Sequence, residues 1–243
     1  MYDKRSIVRP DFTLLVPEGL VETKVPGYKE STIKILAAPP TSSTFVEYLV
    51  EMKSGGESSI VPEKSVQHAM FVLSGEGTLL KENEKFDMAK DSFAYLPPGA
   101  AFGTKSRSSI FRYLIVKKRY VPLGNASPPP PIITTLGNTP YARKGADSAK
   151  KQLIPIDNQV YDMSIDVLSF GKGATVSRIE THVEEHGMYF LEGEGIYLLG
   201  DVWNQVRPDD FIWLRSFTPQ WFVCHIPASY LLYTPRNRDL PLP

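Results

Sequence analysis

Apolar and aromatic residues in this chain fall in short runs rather than in long helical stripes. FVEYLVEM (45–52), MFVLSG (70–75), GTLLKE (77–82), SFAYLPPG (92–99) and FRYLIVKK (111–118) occupy the first half. MSIDVLSFG (163–171), MYFLEG (188–193), GIYLLG (195–200), DFIWL (210–214) and SYLLYTP (229–235) occupy the second. Such runs, rich in Val, Ile, Leu, Phe and Tyr and recurring every eight to twelve residues within each half, have the rhythm of a β-sandwich or barrel. The 21 prolines and 17 glycines leave little room for helices. The pattern predicts a nearly all-β protein. Between MYFL and IYLL, the triplet Gly193-Glu194-Gly195 reads as the turn of a hairpin.

The pattern also repeats. At an offset of 118 residues, the run beginning at Met70 lies over that beginning at Met188, matching Gly75-Glu76-Gly77 to Gly193-Glu194-Gly195. The same offset carries Met52-Lys53-Ser54-Gly55 onto Phe170-Gly171-Lys172-Gly173, and Phe93-Ala94-Tyr95 onto Phe211-Ile212-Trp213. Two copies of one β unit are therefore expected. One spans residues 1–120 and the other 152–243, with 121–151 as a connector stiffened by Pro128–Pro131.

Composition and charge narrow the function. The 27 basic and 27 acidic residues cancel and form no long block of either sign, which argues against nucleic acid and anionic membranes as partners. A small-molecule substrate fits better. No apolar run approaches the roughly 20 residues of a membrane span, and MYDKRSIVRPDF lacks a signal-peptide core, so a soluble cytoplasmic protein is expected. The single Cys224 excludes an internal disulfide and reads as a packed small residue.

Two of the four histidines stand in ETHVEEHG, residues 180–187. As a helix this would be an inverted zinc-protease string with Glu185 as base, but Gly187, Gly193 and Gly195 would break it within two turns. As extended chain, Glu180 and His182 share a side. A straight strand would hold His182 and His186 roughly 13 Å apart, so Val183–Glu185 must turn if both are to reach one ion. The repeat acts as an internal control. His186 falls on His68, but Glu180 falls on Pro62, His182 on Lys64 and Gln220 on Phe102, so the first copy has no ligand set. His68 and His225 are read as ordinary histidines.

These residues resemble the first and second motifs of the cupin superfamily. Gly173, six residues, Glu180-Thr-His182, three residues, His186, six residues and Gly193 follow the first. Asp209 through Pro219-Gln220 follows the second, with glutamine at the last ligand position. The permuted set, within Ile179-Glu-Thr-His-Val-Glu-Glu-His-Gly187, resembles the (S)-ureidoglycine aminohydrolase family of bicupins. So do Phe12-Thr-Leu-Leu-Val-Pro-Glu-Gly-Leu-Val21, Lys118-Arg-Tyr-Val-Pro-Leu123, Tyr230-Leu-Leu-Tyr233 and Asn237-Arg238. That resemblance implies two tandem cupin barrels, the second holding Mn²⁺ through Glu180, His182, His186 and Gln220. It implies release of ammonia from ureidoglycine to give ureidoglycolate in purine and allantoin degradation, and a homo-oligomer. Glu180 is then also a proton carrier, and Tyr197 and Tyr230 stand at substrate-contacting positions.

Two imidazoles with two oxygen donors form a harder set than zinc often takes, which suits Mn²⁺ or Fe²⁺, with Zn²⁺ still possible. Two other functions stay open at this stage. Glu180, His182 and His186 could form the facial triad of a non-haem iron oxygenase, although Gln220 would crowd its open face. A non-catalytic binding bicupin is the other, because Thr234 and Pro235 follow Tyr233 where the family commonly has lysine. Arg236 or Arg238 could replace that charge.

Overall fold

The computed structural model describes residues 5–145 and 147–236. It is nearly all β, interrupted only by one-turn 3₁₀ segments at Pro17–Gly19 and Pro39–Thr41 among the described residues. All ten apolar runs lie on strands. Among the described residues no helix is long and apolar enough to cross a membrane.

Two compact units form. One contains Leu20–Pro140, and the other contains the segment up to Gly19 together with the chain from Tyr141 onward. The division departs from the expected 1–120, 121–151 and 152–243 in two ways. The presumed connector contributes three strands: Ile132–Thr135 pairs with Ser92–Leu96, while Tyr141–Lys144 pairs with Ser148–Gln152, which continues onto Met163–Phe170. The N-terminal Phe12–Leu15 pairs antiparallel with Phe211–Leu214 of the second unit, Leu14 opposite Ile212. The physical reason is burial. Phe12 is 0% and Leu14 1% exposed, and both join the core of Met188, Phe190, Ile212 and Leu214. The added strand also covers what would be the open edge of Phe211–Leu214.

In the second unit His186–Leu199 is one 14-residue strand. It lies between Gln220–Pro235 on one side and, on the other, Phe211–Leu214 along its first part and Val202–Val206 along its second. The expected hairpin at Gly193-Glu194-Gly195 is therefore corrected. These residues are a bulged corner, with register shifts against Gln220–Pro235 between Phe190 and Gly195, and the chain reverses at Gly200-Asp201 instead. Gly193 adopts φ +77° and Gly75, its repeat counterpart, also +77°. A Cβ at Gly193 would strike the Pro227 carbonyl, and one at Gly75 the Ile110 carbonyl. Both units thus need glycine at the same corner for the same two reasons.

The units differ where the site lies. In the first, Val46–Ile60 runs unbroken for 15 residues. In the second, the corresponding strand stops at Phe170, and residues 171–185 form a loop tied down by isolated bridges, Thr175 to Val223 and Glu180 to Gln220. That interruption opens the second barrel at one end.

Candidate metal centre

The loop delivers the two histidines. Glu180 is fixed beside Gln220 by reciprocal N–H···O=C bonds of 2.9 Å, and the Phe217 N–H donates to the His182 carbonyl at 2.7 Å. His186 opens its long strand, and Gln220 opens the neighbouring one opposite Leu199. The turn demanded by the spacing is present. The His182 and His186 rings lie 4.8 Å apart, with Nε2 facing Nε2 at 3.2 Å. The Gln220 amide reaches the same point, its Nε2 3.0 Å from His182 Nε2.

The outer nitrogens are held separately. Thr234 Oγ1 lies 3.0 Å from His186 Nδ1, and Glu184 Oε2 lies 3.2 Å from His182 Nδ1, without hydrogen-bond alignment. Burial, reinforced by neighbouring His182, pushes the His186 imidazole down to about 3, so it is neutral and keeps a lone pair. Behind Gln220, Tyr197 donates to its Oε1 at 2.9 Å, and Tyr230 is hydrogen-bonded to Tyr197. Both tyrosines are 3% exposed, and burial raises both hydroxyls well above the ordinary tyrosine value.

Glu180 lines the same cavity, of 520 Å³, with His186, Gln220, Tyr197 and Tyr230, and its charge reaches both tyrosine hydroxyls. A second cavity of 440 Å³ shares His186 and Lys150 and adds His182. Both volumes fall within the range of small-molecule sites. Glu184 and Glu185 lie in the turn but do not both face water. Glu184 is half-buried beside His182, and Glu185 is 5% exposed and accepts from Trp213 Nε1 at 2.9 Å.

Do these residues fit a cation? Among the described residues no three His, Cys, Asp or Glu side chains form a ligand cluster, so what converges is two imidazoles and an amide. Adjacent donors about 2.1 Å from an octahedral ion stand about 3.0 Å apart. The observed 3.2 and 3.0 Å match that spacing. Turning the Gln220 amide over would present Oε1 to the ion and its NH₂ to Tyr197, whose hydroxyl accepts as readily as it donates. The donor set fits a divalent cation of borderline or hard character. No hydrogen bond links the Glu180 side chain to the other three, and it lines the same cavity as His186 and Gln220.

No protein-family model matches the chain. The (S)-ureidoglycine aminohydrolase of Escherichia coli K12 is 32% identical over 226 residues, 89% of this chain and 84% of that protein. The enzyme of the same name from Arabidopsis thaliana is 31% identical over 97% of this chain and 79% of its own length. The chain belongs to the (S)-ureidoglycine aminohydrolase family. Among solved structures, protein Ylba from E. coli superposes with a TM-score of 0.90 at 28% identity, covering 99% of this chain and 98% of that one. Oxalate decarboxylase superposes with a TM-score of 0.72 at 10% identity over 93% and 78%, a likeness of fold alone, and the fold is that of the bicupins.

Thr234, the position at which the resemblance leads one to expect lysine, holds the outer nitrogen of His186. Of the replacement charges, Arg236 lines the smaller cavity, but its guanidinium donates to the carbonyls of Pro155, Ile156 and Asn158 at 2.5–3.2 Å. Arg238 lies outside the described residues. The cation that borders both cavities is Lys150, whose Nζ lies 2.7 Å from the buried Asp166 carboxylate. Sequence reasoning missed it because it lay in the presumed connector, and no motif marks it. Cys224 is buried, and burial raises its thiol above the ordinary value.

Proposed function

We propose that the second barrel is a manganese-dependent hydrolase centre. It would release ammonia from (S)-ureidoglycine to give (S)-ureidoglycolate within purine and allantoin breakdown, as the names of its relatives suggest. The approach of His186 Nε2 and the Gln220 amide to His182 Nε2, at 3.2 and 3.0 Å, carries this reading. Glu180, His182, His186 and Gln220 would hold the ion, Fe²⁺ or Zn²⁺ being the alternatives to Mn²⁺. When bound, the ion supplies Lewis acidity and a fixed positive charge beside the reacting carbon.

The chain's own groups account for the rest. Lys150 faces the substrate carboxylate and replaces the charge missing at Thr234. Tyr197 and Tyr230, kept protonated by burial, offer O–H groups to the ureido carbonyl while holding Gln220 in place. The aromatic wall of Phe170, Phe190 and Phe222, packed at 5.1–5.9 Å between ring centres with Tyr230, keeps bulk water from the inner end. Water replaces the amine at the substrate's central carbon. The Glu180 carboxylate takes the water proton and returns one to the departing nitrogen.

The test uses freshly generated ureidoglycine. Ammonia release should rise with Mn²⁺, fall on chelation, persist without dioxygen and be lost in His182→Ala, while elemental analysis shows about one transition-metal ion per wild-type chain. Dioxygen dependence would replace the hydrolase with an oxygenase. Absence of enzyme-dependent ammonia from metal-loaded protein would leave only a binding protein.

A further inference from the structure

The first barrel lacks a ligand set, yet it does not close over its end with apolar side chains. Its core takes alternate residues from each strand: Val50 and Met52, Met70 and Val72, Tyr113 and Ile115. Stepping by two along the same strands, in the direction of the open end, brings Tyr48, His68 and Lys117 to the inner face. The register confirms the meeting, because His68 and Lys117 are directly paired across adjacent strands. Around them lies a cavity of 210 Å³, also bordered by Tyr28, Ile60 and Ile115.

Its polar groups are incompletely partnered. His68 is 5% exposed, and its Nδ1 has no hydrogen-bond partner. The counterpart His186 has Thr234 at that nitrogen, whereas His68 has Lys117 alongside and Phe102 against its ring at 5.0 Å. Lys117 Nζ sits 5.0 Å from the Tyr48 ring centre, and among the described residues no carboxylate lies within ion-pair distance of it. A buried imidazole nitrogen without a partner costs stability, whereas the half-buried Lys117 keeps part of its hydration. Glu63 borders the cavity from an exposed position, where water screens its charge.

We propose that this cavity is a second ligand site, one that binds a small carboxylate between Lys117 and His68. A carboxylate answers the lysine charge and meets the edge of the imidazole that borders the cavity, Nδ1 itself being sealed from it. One oxygen accepts from the Lys117 ammonium and the other from the imidazole N–H, with the Tyr28 hydroxyl beside them. Burial and the Lys117 charge hold the His68 imidazole down to about 4, so at neutral pH it carries a single N–H and accommodates one acceptor oxygen. A metal ion is disfavoured, since Pro62, Lys64 and Phe102 stand where the other barrel has Glu180, His182 and Gln220. The volume lies below the usual 300 Å³ or so of drug-sized sites, which limits the ligand to about two to four carbons. The site is independent of the metal centre, and its occupation is a binding event rather than a reaction.

The chain has four histidines, so their Cε1–Hε1 signals can be followed individually by NMR on the full protein. Sodium acetate and sodium glycolate are the probes, with sodium chloride at equal ionic strength as control. The signal assigned to His68, by its loss in His68→Gln, should move in a saturable way. Lys117→Met should weaken the apparent affinity at least about tenfold, Lys117→Arg should retain binding, and ammonia release by Lys117→Met should equal that of wild type. If Lys117→Met does not fold, Lys117→Gln takes its place. The proposal is overturned if neither probe moves the His68 signal beyond the chloride control, if the response survives loss of the lysine, or if only His182 and His186 respond.

Discussion

Gln220 stands between two hydroxyl and imidazole systems, with Tyr197 at its oxygen and His182 at its nitrogen. Tyr197→Phe removes the group that fixes the amide. Outer partners of metal ligands are worth about 10–100-fold in affinity or activity. A loss of that size is expected in Mn²⁺ retention, read by elemental analysis after dialysis, and in ammonia release. Glu47 offers a prediction of a different kind. It is 2% exposed, and burial pushes its carboxyl up to about 8 from an unfolded value near 4.5. The folded state therefore keeps its proton while the unfolded state loses it, and stability falls as pH rises from about 4.5 to about 8. His68 works in the opposite sense, destabilising as pH falls from 6.5 toward 4. The interval from pH 6.5 to 8 isolates Glu47. There the wild type should lose roughly 1–2 kcal/mol relative to Glu47→Gln, at up to about 1.4 kcal/mol per pH unit, measured by denaturant unfolding at each pH. At this scale the approach of His182 to His186 was legible because strand spacing demands a turn between them, whereas Gln220 entered only through the motif resemblance. The tasks of Thr234, Glu184 and Lys150 were not legible, since each depends on which neighbouring strand lies alongside.

The bulged corner sets the path of the site's longest strand. Gly193 combines φ +77° with a Pro227 carbonyl in the place of a side chain. Gly193→Ala should cost about 2–4 kcal/mol in unfolding free energy, because strain at positive φ and a backbone clash add. Gly75→Ala should cost a similar amount, since its corner is built alike. Gly173→Ala shares the φ of +77° but meets nothing within 4 Å and should cost only about 1 kcal/mol. The apolar runs announced their strands because alternation and burial coincide in them. Tyr141–Lys144 is exposed throughout and Ile7–Val8 is two residues long, so neither carries a hydrophobic signature. Such strands exist because a partner supplies the ladder, and that information lies elsewhere in the chain. The Gly-Glu-Gly misreading has a similar source: glycine marks a departure from regular extended chain, and a corner and a reversal both qualify.

For the molecule as a whole, the docking of Phe12–Leu15 on Phe211–Leu214 makes the second unit discontinuous in sequence. A protein lacking residues 1–16 loses three buried apolar side chains, Phe12, Leu14 and Val16, each worth about 1.5–3 kcal/mol, and bares the edge of Phe211–Leu214. Calorimetry should show the second unit's transition lowered by several degrees and the protein aggregating sooner on heating, with Leu14→Ala giving an intermediate value. The same connection governs how the protein is made. A ribosome adding about 5–20 residues per second takes roughly 10–40 s to travel from Leu15 to Phe211. Throughout that interval Phe12–Leu15 has only the two-residue strand Ile7–Val8 to pair with, although the intervening unit can mature. Birth order and assembly order are thus inverted for this strand: among the first to emerge, it waits as a sticky thread for its berth to be synthesised.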